Sequence, residues 1–115
     1  MKRLISFIFL IMCFSNASYA GGYSVWAVPT QVEIVGGGVL IWGAFGDPNE
    51  CGRADTIFIS ETDSRYEGVL SMSLAALMDK REMKIYSSAC TSVLFHWGDD
   101  GQVNHNKGSM AVYVR

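Results

Sequence analysis

One stretch, Thr62 to Cys90, constrains the architecture more than any other: a helix start signal, an amphipathic run, a short link and a strand ending at a cysteine. Ser64-Arg65-Tyr66-Glu67 fits the capping box, in which a hydroxyl and a carboxylate satisfy each other's free backbone N–H groups. Thr62 and Asp63 are alternative caps, and Asp63 also suits the positive end of the helix dipole. Tyr66, Val69, Leu70, Leu74 and Leu77 recur at helical spacing, with Ser73 and Ala76 in the same arc. Lys80 and Arg81 stand where positive charge is favoured. The pattern predicts one helix over about residues 64–80. Its back carries Gly68, Ser71, Met72, Ala75 and Met78 where a solvated face would carry charge. Two readings stay open: a second layer of the chain's own core, or a homo-oligomer interface.

Short strand patterns surround this helix. Tyr23 to Ala27 alternates until Pro29 interrupts it, which suits an edge strand or an ordered arm. Gln31 to Val35 sets Val32 and Ile34 against Gln31 and Glu33. Gly36-Gly37-Gly38 gives a turn, and Val39 to Phe45 returns as the second arm of a hairpin. The glycines lack phosphate-cradle spacing, and no helix follows them. Residues 46–52 (GDPNECG) form a turn-rich loop. Thr56 to Ser60, Met83 to Ser87, Ser92 to Trp97 and Met110 to Val114 read as strands. Asp99-Asp100-Gly101 marks a turn, and Asn104 to Gly108 a polar loop.

The amino terminus reads as an address rather than as part of the fold. Lys2 and Arg3 precede the apolar run Leu4 to Phe14, which is too short to span a bilayer comfortably, and Ser18-Tyr19-Ala20 offers a cleavage site. The pattern predicts a signal peptide of bacterial type over residues 1–20. Cleavage after Ala20 would leave a single exported domain, residues 21–115, in the periplasm or outside the cell. No second apolar run suits a membrane span. Loss of Lys2 and Arg3 takes the formal charge from −2 to about −4, with no basic patch for nucleic acid. Loss of Cys13 leaves Cys51 and Cys90, most simply one disulfide in an oxidising compartment.

Catalytic chemistry is weakly signalled. His96, Asp99, Asp100 and His105 flank the last turns, so His96 and His105 are outside candidates for a metal, but no pair has the spacing of a known motif. No serine lies in a nucleophile elbow. The expectation is a protein that is not an enzyme and holds no cofactor. Aromatic residues are more suggestive: Trp26, Trp42 and Trp97, with Tyr23, Tyr66, Tyr86 and Tyr113. Most should be core. Any exposed beside Asp47, Asn49, Asn104 or Asn106 would form a surface for a sugar or a peptide. Trp42, Asp47, Asn49 and Trp97 are the candidate ligand-binding residues.

Strands, one helix and strands again give an α+β, mainly β fold. It would be a small OB-like barrel or a curved antiparallel sheet with one central helix. Tyr66 to Tyr86, a Y-x-x-x-L helix followed by a K-I-Y strand, resembles the corresponding part of subtilase-type AB5 toxin B subunits. The resemblance implies an OB-like fold, pentameric assembly with helices around a pore, and glycan recognition, and it transfers no site residue. Two functions follow as expectations: a ring-forming module that recognises a glycan or carries a partner, and a monomeric periplasmic protein that binds or inhibits another protein.

Overall fold

A computed structural model describes residues 21–94, 100–108 and 110–115. The order is β1 (Gly22–Tyr23), β2 (Gln31–Val35), β3 (Gly38–Trp42), β4 (Thr56–Ser60), α1 (Tyr66–Asp79), β5 (Met83–Ser87), β6 (Ala89–Leu94), β7 (Asp100–His105) and β8 (Val112–Val114). Two sheets result, one ordered β1-β5-β8 and the other β2-β3-β4-β7-β6. The fold is α+β and mainly β, and among the described residues the sheets do not close into a barrel.

β3 and β4 are the centre of the larger sheet. Gly-Val-Leu-Ile-Trp and Thr-Ile-Phe-Ile-Ser are buried on both faces, which is why they read as continuous apolar runs rather than alternating ones. The close approach of these strands needs glycine at 38, since a Cβ there would stand 2.1 Å from the Ile59 carbonyl oxygen. β4 pairs in parallel with β7, so the larger sheet is mixed. Val39, Ile41, Ile57 and Ile59 face a core completed by Met83 and Ile85 of the smaller sheet and by Val69 and Ala76 of the helix. Leu40, Phe58, Val93 and Val103 form a second cluster. Ile34 was expected on a buried face. It is 70 % exposed, because β2 is the outer strand of its sheet.

The helix begins at Tyr66, and the expected capping box does not form. Asp63 does the capping work instead: its carboxylate accepts the Arg65 N–H at 2.8 Å, and its carbonyl accepts the Tyr66 N–H. Lys80 closes the helix in the left-handed region, φ 54°. The buried stripe is Val69, Ser73 and Ala76, with Tyr66 and Leu70 packed at its margin. Ser73 is tolerated there because its hydroxyl donates to the Val69 carbonyl at 2.7 Å. Small residues let the helix lie close to the sheets, and the stripe turns Leu74 outward, against expectation. Gly68, Ser71 and Ala75 are exposed and Met72 is half-buried, while Met78 is 82 % exposed. Within one chain the helix back is therefore not a second core layer.

Asn104 and His105 belong to β7 and are buried, so the expected polar loop begins later. The expected signal peptide, residues 1–20, and residues 95–99, which include His96, Trp97 and Asp99, lie outside the described residues. No helix among the described residues is long and apolar enough to cross a membrane.

Candidate functional site

Two neighbouring asparagines on either side of His105 organise the loops. Asn104 accepts the Asn49 N–H at 2.9 Å, and its amide donates to Asp47 Oδ1 (2.8 Å) and the Arg53 carbonyl (3.2 Å). Asp47 in turn accepts the N–H groups of Cys51 (2.7 Å) and Gly52 (2.8 Å). Asn49 is buried and accepts the Gly21 N–H. Loop 46–52 thus uses its own polar groups to hold itself, and the Cys51–Cys90 disulfide closes it onto β6, with the two Cα atoms 5.5 Å apart. Acceptor oxygens of Asn104, Ala89 and Asn49 lie 3.4–3.7 Å from Cys51 Sγ.

Asn106 serves the other side. Its amide donates to the carbonyls of Tyr86 (2.7 Å), Met110 and Ala111 (both 3.3 Å), and its oxygen accepts Arg65 Nη2 at 2.7 Å. Arg65 also clasps Asp63 and donates to the Met110 carbonyl. The guanidinium holds the Asp63 carboxyl below its usual range. His105 stands edge-on to Phe58, with ring centroids 5.0 Å apart, and burial pushes its pKa down. Among the described residues no three His, Cys, Asp or Glu side chains group to hold a metal.

The candidate ligand residues are thus dispersed. Asp47 and Asn49 are joined by loop bonding, while Trp42 is half-buried on β3. Its indole N–H donates to Glu33 at 3.0 Å, and the Arg53 guanidinium lies 5.2 Å from its ring centroid. A cavity of about 450 Å³ beside the disulfide is lined by Asn49, Glu50, Ser88 and Gln102 as well as both cysteines, without Trp42 or Asp47.

The exposed aromatics are elsewhere, on the outer face of the smaller sheet. Alternation along β5 turns Met83, Ile85 and Ser87 inward and leaves Lys84 and Tyr86 outward. The register sets Tyr23 opposite Tyr86, and Lys84 opposite Tyr113. Trp26 joins them from the segment after β1, where Ala27 bridges to Met83. Tyr23, Trp26, Lys84 and Tyr113 line a groove of about 320 Å³, and both tyrosines are 46 % exposed. Tyr23 meets Tyr86 edge-on (4.8 Å) and Tyr113 at a tilt (5.9 Å), and Trp26 lies 6.3 Å from Tyr113. Lys84 Nζ sits 5.0 Å from the Tyr23 ring centroid and 5.8 Å from that of Trp26. The Arg115 guanidinium covers Trp26 at 4.1 Å and pairs with Glu82 at 2.9 Å. A hydrogen bond with Tyr113 raises the Tyr23 pKa above the usual phenol range.

Tyr23, Trp26 and Tyr113 are visible in the sequence as aromatics, but no local pattern singles them out. The outward register of Lys84 and Tyr113 was available from the alternation in MKIYS and VYV. Their meeting with Tyr23 depends on strand order, which local pattern does not carry. The chain matches no family profile, no curated protein and no solved structure.

Proposed function

We propose that this protein is an exported, non-enzymatic binding module that recognises a saccharide through the groove of Tyr23, Trp26, Lys84 and Tyr113. The observation that carries this reading is the gathering of three half-exposed rings around one open groove. Sugar rings present C–H faces that stack on aromatics, and half-exposed tyrosine and tryptophan offer an apolar face with a polar tip. The polar groups best suited to chemistry, Asp47, Asn49, Asn104 and Asp63, are committed to loop, amide and ion-pair contacts, which favours binding over catalysis.

Assembly into a ring, as in toxin B subunits, is a second element of the proposal. It is favoured by the exposed helix face of Gly68, Ser71, Ala75 and Met78, which leaves apolar side chains without a partner in the single chain. Screening the oxidised chain, residues 21–115, on immobilised glycans tests the saccharide reading. A defined set of glycans is expected to bind, and Trp26→Ala should weaken binding about tenfold, as the loss of one stacked ring implies. Equal binding by Trp26→Ala would remove the groove from the account.

A further inference from the structure

We infer that the groove selects an acidic saccharide, with Lys84 as the specificity-determining contact to a carboxylate or sulfate on the sugar. The inference rests on the saccharide reading above and adds the charge of the ligand.

The lining carries phenol groups, an indole and an ammonium, and no carboxylate or amide. A neutral sugar is usually held by side-chain carboxylates and amides that take its hydroxyl protons in pairs, and this groove has none among its lining residues. What it offers is a fixed cation. Lys84 lies on β5, the middle strand of the smaller sheet, opposite Tyr113 of β8, and its ammonium rests over the faces of two rings. Those contacts hold the head at the groove wall and leave its N–H donors for an oxyanion. Among the described residues Lys84 forms no ion pair, whereas Arg115, the other cation at this face, is engaged by Glu82. The chain as a whole is acidic, so its overall field does not gather polyanions. A preference for acidic sugars must therefore be local to this groove.

Titration calorimetry of the oxidised chain with three oligosaccharides of matched length tests this: oligogalacturonate, a sulfated dextran oligomer and a neutral malto-oligosaccharide. Wild type should bind one of the acidic probes at least tenfold more tightly than the neutral one, and which of the two distinguishes carboxylate from sulfate. Lys84→Met should abolish that preference, and Lys84→Arg should keep it. Equal binding of neutral and acidic probes, or a preference that survives in Lys84→Met, overturns the charge assignment and leaves the saccharide reading standing. Failure of both acidic probes while neutral glycans of the immobilised screen bind overturns the charge assignment alone, and failure of all three probes and of every glycan in that screen overturns both. An unchanged far-ultraviolet spectrum and urea midpoint in Lys84→Met separate loss of contact from loss of fold.

Discussion

Replacing Cys51 and Cys90 together with alanine lowers the unfolding free energy by about 4 kcal/mol. The disulfide spans 39 positions, and in the chain-entropy model a closed loop of that size removes roughly this much freedom from the unfolded chain. Set against a total of roughly 5–15 kcal/mol for a domain of this size, the loss is severe without being fatal. The native loop does not depend on the bond alone. Asp47 still accepts the backbone N–H groups of residues 51 and 52, and Asn104 still holds Asn49. The expected result is a native far-ultraviolet spectrum at 25 °C with a much lower midpoint in urea, and the same shift when wild type is reduced. A midpoint within error of wild type would show that loop 46–52 is ordered by its hydrogen bonds alone.

Replacing Arg65 with methionine costs about 3 kcal/mol at pH 7. The substitution keeps the side-chain stem and removes the donors that join the helix start to the C-terminal segment. It leaves the Asp63 carboxylate, only 9 % exposed, and the buried Asn106 oxygen without their cation. The loss has a pH signature. Because Arg65 holds the Asp63 pKa below the usual carboxylate range, Asp63 contributes stability that is fully present above that range. That contribution disappears as pH falls through the depressed folded pKa. The gap between wild type and Arg65→Met should therefore narrow below about pH 4 in urea titrations. A gap that stays constant down to pH 2 would show that Arg65 acts through packing rather than through its charge.

Much of the architecture was legible because local pattern and tertiary role agree. Met83 and Ile85 alternate with Lys84 and Tyr86 and occupy the faces that alternation assigns. Val112 and Val114 likewise pack against the core on either side of exposed Tyr113. The helix was legible in extent but not in rotation. Its contact face was settled by how closely Val69, Ser73 and Ala76 let it approach the sheets, a tertiary effect that outweighed the larger Leu74. The cap differs because the helix starts at Tyr66, two residues after the expected Ser64, and Asp63, clasped by Arg65, takes the N–H groups of Arg65 and Tyr66 at its entry. The parallel pairing of β4 with β7 and the buried roles of Asn104 and Asn106 link segments more than forty residues apart, beyond any local signal. The same holds for the groove: its residues run from 23 to 113, and only the order β1-β5-β8 brings them together.

The most direct test of the binding account is a nitrogen–proton shift map of the oxidised chain titrated with a glycan that binds in the screen. The account predicts that the Trp26 indole resonance and the backbone amides of Tyr23, Lys84 and Tyr113 move together and saturate at one dissociation constant, while the Trp42 indole, held by Glu33, stays in place. Shifts confined to Asn49, Ser88 and Gln102, around the cavity beside the disulfide, with Trp26 unmoved, would contradict it.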